Sequence, residues 1–113
     1  MTRLVLSSKF KRSVRKFTRR DAPLLARVEA TMAQMSEDLT HPSLGTHKLD
    51  GKLSGSFSCS CGYDCRIVFA IETEGESDET VIVLLNVGTH DEVYWDWEYF
   101  TRNHPQINRG LPG

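Results

Sequence analysis

No stretch of this 113-residue chain stays apolar for the roughly 20 residues a membrane-spanning helix needs. The apolar part of its N-terminus, MTRLVLSSKFKR, is also too short for a secretory signal. Paired C-x-x-C spacing is absent. The three cysteines, Cys59, Cys61 and Cys65, are odd in number and crowded together, which does not suit a secreted disulfide framework. The sequence contains no internal repeat and no linker-like boundary. These absences point to one cytoplasmic domain, long enough to bury a single core. A hydrophobic content of 39% and a charged content of 26% are ordinary for a globular protein.

Acidic residues are missing from the first twenty positions. Eight of the 14 basic residues lie there: Arg3, Lys9, Lys11, Arg12, Arg15, Lys16, Arg19 and Arg20. All 15 acidic residues follow them, and the formal net charge is only −1. A basic stripe beside an acidic remainder suits an anionic partner met on one face, with nucleic acid the first candidate. The alternative is a solvated helix face with no specific partner.

Thr2 to Ser7 reads as an opening strand, and Ser7 or Ser8 as the cap of a first helix. Phe10, Val14 and Phe17 fall on one stripe of that helix. Asp21 caps a second helix with Pro23 in its first turn, where a missing N–H costs nothing. Leu25, Val28, Met32, Met35 and Leu39 form its expected core stripe. The short link makes the two helices an antiparallel hairpin.

His41 to Gly45 is a loop, followed by an irregular approach to a strand over 56–61. Gly62-Tyr63-Asp64 is the turn into a partner strand from Cys65 to Thr73. Ile67, Phe69 and Ile71 share one face of it, and Arg66 and Val68 the other. The acidic stretch 72–79 reads as a solvated loop. It leads to the stretch that organises the chain, VIVLLNVGTHDEVY from Val81 to Tyr94. Its apolar run predicts an interior strand buried on both faces. Gly88 is expected to let the chain turn sharply, leaving His90 on a rigid rim. Residues 95–113 read as a C-terminal extension, with a short helix or aromatic flap and a frayed tail. The fold class is therefore α+β: an N-terminal strand and helical hairpin packed on a small, largely antiparallel sheet.

His47 and Lys48 precede the meander, Asp64 sits at its turn, Arg66 begins the next strand, and His90 and Tyr94 follow the interior strand. Together these residue types can support phosphodiester cleavage. One group removes a proton from the attacking hydroxyl and another supplies one to the leaving oxygen. A guanidinium steadies charge on the non-bridging oxygens, and an aromatic ring stacks a base.

The segments HKLDGKLSGSFSCSCGYDCRIVFAI and VIVLLNVGTHDEVY resemble the RelE/ParE superfamily of bacterial type II toxins, most of all its YafQ-like branch. The resemblance implies a RelE-like toxin domain over 1–94. It implies a ribosome-dependent endoribonuclease that cuts mRNA without a metal or other cofactor, silenced by a cognate antitoxin. By position it implies catalytic roles for His90 as general acid, Arg66 as phosphate clamp, and His47 or Asp64 in proton removal. Tyr94, Lys48 and Lys52 would contact substrate. Lys9, Lys11, Arg12, Arg15, Lys16, Arg19 and Arg20 would face ribosomal RNA phosphates.

Ser60 and Cys65 depart from the YafQ-like pattern, which can carry histidine and tryptophan there. Other readings stay open. The same fold serves ParE-type gyrase inhibitors, and an inactive homologue would only bind its antitoxin. Asp64 could simply cap its turn, and Arg66 could pair with an acidic neighbour. The cysteines could join His47 or His90 around zinc, but their spacing favours reduced thiols packed on a strand.

Overall fold

The computed structural model describes residues 2–49, 55–77 and 79–94. Lys52, the extension from residue 95 and its expected helix or flap lie outside the described residues. The element order is β1 (Arg3–Leu6), α1 (Ser8–Phe17), α2 (Ala22–Glu37), β2 (His47–Lys48), β3 (Phe57–Ser60), β4 (Arg66–Glu74) and β5 (Glu79–Gly88). A 3₁₀ turn, Pro42–Leu44, precedes β2. A further helix, α3, begins at residue 90 and reaches residue 94, the last described in that stretch.

The strands form one mixed sheet in the order β1-β5-β4-β3-β2. Among the described strands only the β1–β5 pair is parallel. This is the α+β, largely antiparallel layout that the sequence predicts.

The helix caps also match the sequence. Ser7 Oγ accepts the Phe10 amide at 3.0 Å, and Asp21 Oδ1 accepts the Leu24 amide at 3.1 Å. Each satisfies a donor that the helix cannot, worth about 1 kcal/mol.

One sheet face is covered by α1 and α2. There Phe10, Val28 and Met35 pack on Cys59, Ile67, Phe69, Ile82, Leu84 and Val87. The stripe on α2 holds at Val28, Met32, Met35 and Leu39 and differs only in its first member. Leu24 is buried and Leu25 exposed. Adjacent leucines satisfy the same helical period, and docking of the helix selects between them. Leu39 lies beyond the helix, whose C-cap is Asp38.

The other face carries a smaller cluster of Leu49, Val68 and Val93, with Leu85 and Tyr94 against it. β5 therefore has apolar side chains on both faces, as an interior strand should.

Three expectations change. The acidic stretch is not all loop: β4 continues to Glu74, a 3₁₀ turn spans Gly75–Ser77, and β5 starts at Glu79, so Glu74 pairs with Glu79. Ile71 is 40% exposed and outside the core. The approach to the meander is a strand at its start, with His47 opposite Ser58 and Lys48 opposite Phe57.

β5 is also less regular than its apolar run suggests. Val68 pairs with Asn86 and Phe69 with Leu84, leaving Leu85 as an extra residue. Such a bulge bends a strand and re-aims the residues beyond it. The freed Asn86 side chain reaches α1, where its Oδ1 accepts from Ser13 Oγ at 2.7 Å and from the Val87 amide at 2.9 Å. The basic helix is thereby fastened to β5 two residues before its end.

Candidate active site at the end of β5

β4 begins where β5 ends. Arg66 pairs with Gly88 on one side and Ser60 on the other. The turn over 61–65 and the β5–α3 junction therefore sit side by side. Asp64 joins them: it has φ 48°, and its Oδ1 accepts the His90 backbone amide at 3.1 Å. His90 is the first residue of α3, so Asp64 caps a helix that belongs to another part of the chain.

Gly88 does not turn the chain. Its φ is not positive, unlike that of Gly45, Gly55, Gly62 and Gly75. A β-carbon on it would meet Cβ and Oε1 of Glu92 at 3.4 Å. The turn is instead made by Thr89. Its amide donates to Glu92 Oε1 at 3.0 Å, and its Oγ1 accepts the Glu92 amide at 3.2 Å. Thr89-His90-Asp91-Glu92 is thus a capping box, a motif legible in the sequence as T-x-x-E. Glycine at 88 leaves room for it.

The His90 side chain is 59% exposed. Its ring meets the Tyr94 ring edge-on, with centroids 4.5 Å apart. Its Nδ1 lies 3.4 Å from Asp91 Oδ1. A carboxylate accepts, so Nδ1 carries the hydrogen and Nε2 is the outward nitrogen. Tyr94 is half-buried against the Val68 and Val93 cluster, and so braces the imidazole from below.

Arg66 folds over the turn. Its Nη1 donates to Cys65 O at 3.0 Å and to Gly62 O at 3.4 Å. Among the described residues it has no carboxylate partner, and these bonds leave Nε and Nη2 for a ligand. Arg66 shares a sheet face with Val68, Ser58 and His47, because directly opposed residues and residues two apart lie on one side. His47 is exposed on the edge strand, separated from β5 by three strand spacings, roughly 14 Å of sheet. Its Nδ1 lies 3.0 Å from Gly45 O. A carbonyl only accepts, so that hydrogen bond leaves Nε2 of the neutral ring as a proton acceptor. Lys48 alternates to the opposite face and does not join this group.

Two residues that carry no motif in the sequence stand at the same rim. Tyr63, at the turn, is 96% exposed. Arg27 of α2 lies over Gly62, with Nη1 3.4 Å from where a β-carbon there would be. An aromatic residue in a tight turn is a usable signal for Tyr63. Nothing in the sequence marks Arg27, because its place depends on how α2 docks.

On α1, Lys11, Arg12, Arg15 and Lys16 are exposed, as are Arg19 and Arg20 in the turn that follows it. Lys9 is half-buried and has a polar interaction of its own.

The cysteines correct an expectation. Cys61 and Cys65 form a disulfide across the turn, with Cα atoms 5.0 Å apart. Only Cys59 is a free thiol, and burial raises its pKa to about 12. Among the described residues no cluster of three or more His, Cys, Asp or Glu side chains gathers to hold a metal.

No protein-family model matches the chain, and no curated protein matches it. Solved structures do. The YoeB/ParE toxin from Agrobacterium tumefaciens is 16% identical with a TM-score of 0.64, covering 79% of this chain and 99% of that one. A chain of the E. coli DinJ–YafQ toxin–antitoxin complex is 14% identical with a TM-score of 0.63, covering 83% and 99%. The protein HP0894 from Helicobacter pylori is 25% identical with a TM-score of 0.61, covering 80% and 97%. The chain has the RelE/YafQ-type toxin fold.

Proposed function

We propose that the chain is the toxin of a type II toxin–antitoxin pair, a ribosome-dependent endoribonuclease acting on mRNA in the cytoplasm. One observation supports this reading above the others. Asp64 holds the His90 amide while Arg66 pairs with Gly88, so an exposed imidazole and a guanidinium without an acidic partner among the described residues share one rim. Cleavage of RNA at its own 2′-hydroxyl requires little more than such groups in the right order.

In the proposed reaction the 2′-oxygen attacks the adjacent phosphorus and its proton passes to Nε2 of His47. The bond from phosphorus to the 5′-oxygen breaks, and that oxygen takes a proton from Nε2 of doubly protonated His90. The products are a 2′,3′-cyclic phosphate and a 5′-hydroxyl. Arg66 lies between the two imidazoles in strand order and turns its remaining N–H groups to the non-bridging oxygens. Asp64 acts as a positioning residue for His90. Tyr63 offers an exposed ring for a splayed base, while Tyr94 supports the acid.

The exposed cations of α1 contact ribosomal RNA phosphates, a role that positions without reading sequence. The Ser13–Asn86 bond keeps that helix at the rim end of the sheet. The partner that silences the chain is a cognate antitoxin, by analogy with the toxin–antitoxin complex of the same fold. No helix among the described residues is long and apolar enough to cross a membrane.

Mapping mRNA 5′ ends after induced expression tests the reading. New ends inside translated frames, lost with His90→Ala, support it. Growth arrest with intact mRNA and inhibited DNA supercoiling would transfer the chain to the gyrase inhibitors. No arrest at all would make it an antitoxin-binding homologue only.

A further inference from the structure

The disulfide between Cys61 and Cys65 encloses Gly62, Tyr63 and Asp64, the segment from which the rim is held. Two of these residues are left-handed, Gly62 at φ 125° and Asp64 at φ 48°. Glycine adopts such values freely, and aspartate tolerates them in turns better than most residues. The same segment fixes both polar groups of the rim. Asp64 Oδ1 accepts the His90 amide, and the carbonyls of Gly62 and Cys65 accept from Arg66 Nη1. Any change at the bridge is therefore felt at two side chains.

Both cysteines of the bridge are buried, and the nearer approach from solvent is to Cys61. Cys65 is fully buried, whereas Cys61 retains 4% exposure and lines a groove of about 280 Å³ with Thr31, Gln34, Ser43 and Ser60. The Arg27 guanidinium stands beside this groove, over Gly62. A cation beside a groove of mixed lining that Cys61 helps to form suits an incoming thiolate that carries further negative charge. Cys59 cannot compete as the attacking group, because it is fully buried and its thiol stays protonated.

We infer that Cys61–Cys65 is a reversible thiol–disulfide exchange site for an anionic low-molecular-weight thiol, and that its redox state sets the order of the rim. In the reducing direction the thiolate attacks Sγ of Cys61 and the Cys65 sulfur leaves with the electron pair, taking a proton from solvent. A second thiol then attacks the mixed disulfide, freeing Cys61. One protein disulfide and two thiols become two protein thiols and one small disulfide. The bridged form holds Asp64 on the His90 amide, and the dithiol form lets the turn relax and both contacts loosen. The cytoplasm keeps most thiols reduced, so the bridged, ordered form would follow oxidative stress. The effect on activity rests on the nuclease reading, but the effect on the turn does not.

The test equilibrates the full chain with reduced or oxidised glutathione and reads three quantities. Alkylation under denaturing conditions should label three cysteines in the reduced form and one in the oxidised form. Hydrogen exchange at the His90 amide should be about tenfold faster in the reduced form, and ribosome-dependent cleavage about tenfold slower. A Cys61→Ser/Cys65→Ser double variant that melts like the reduced parent should behave like the reduced form and ignore the redox buffer. Arg27→Ala should slow reduction by glutathione about tenfold but leave reduction by neutral 2-mercaptoethanol unchanged. Failure of the bridge to form, or equal His90 exchange in both states, overturns the proposal. Equal loss with both thiols in Arg27→Ala overturns the anionic ligand class. If His90 exchange responds while neither form cleaves mRNA, the nuclease reading fails and the exchange site stands. If both forms cleave equally, the link to activity is overturned.

Discussion

Asp64 and His90 lie 26 residues apart in sequence and are joined by a 3.1 Å bond from the His90 amide to the Asp64 carboxylate. The bond ties the tip of one turn to the first residue of α3. It fixes the backbone from which the imidazole projects while leaving the ring exposed.

That relationship separates two roles for Asp64. If it positions His90, Asp64→Asn should retain most activity, because the amide oxygen still accepts the His90 N–H. Asp64→Ala should lose the cap, with about 1 kcal/mol of stability and a larger share of the cleavage rate. If Asp64 instead removes the proton from the 2′-hydroxyl, Asn and Ala should be equally inactive. Single-turnover rates with melting temperatures distinguish the cases.

The capping box offers a second check. Thr89→Ala removes the Oγ1 acceptor for the Glu92 amide and should destabilise by roughly 0.5–2 kcal/mol. Thr89→Ser keeps the acceptor and should cost much less. Thermal unfolding of both variants measures this. Equal losses would mean that Thr89 acts through its methyl group and not its hydroxyl.

Charge reversal at Arg12, Arg15, Arg19 and Arg20 should weaken ribosome association and flatten its dependence on salt, because fewer counterions are released. These side chains are exposed, so the fold should survive. A salt titration of ribosome binding reports the slope. An unchanged slope would assign the basic helix to another partner or to none.

Much of this architecture is legible in the sequence because it rests on local signals. Ser7 and Asp21 announce their helices, and the apolar run from Val81 announces an interior strand. The rest depends on how elements meet. Leu24 and Leu25 fit one helical period, and only docking of α2 buries the first. Arg27 reaches Gly62 for the same reason. The Leu85 bulge leaves no mark in a run of valines and leucines, yet it frees Asn86 to anchor α1. Thr89-x-x-Glu92 is readable as a capping box, but the neighbouring glycine gives a competing turn signal. The Cys61–Cys65 pairing has no signature spacing and arises only from closure of the turn. His47 and Lys48 look equivalent in sequence, and the strand pleat puts them on opposite faces.

The most direct measurement is the single-turnover cleavage of ribosome-bound mRNA by His90→Ala, with ribosome binding and melting temperature measured on the same protein. As general acid, His90 should contribute roughly 10²–10⁴ to the rate. Binding should hardly change, because the lost proton transfer belongs to the transition state. His90→Gln should be nearly as slow, since an amide donates a hydrogen bond but surrenders no proton at neutral pH. A folded His90→Ala protein that cleaves at the parent rate would contradict the account.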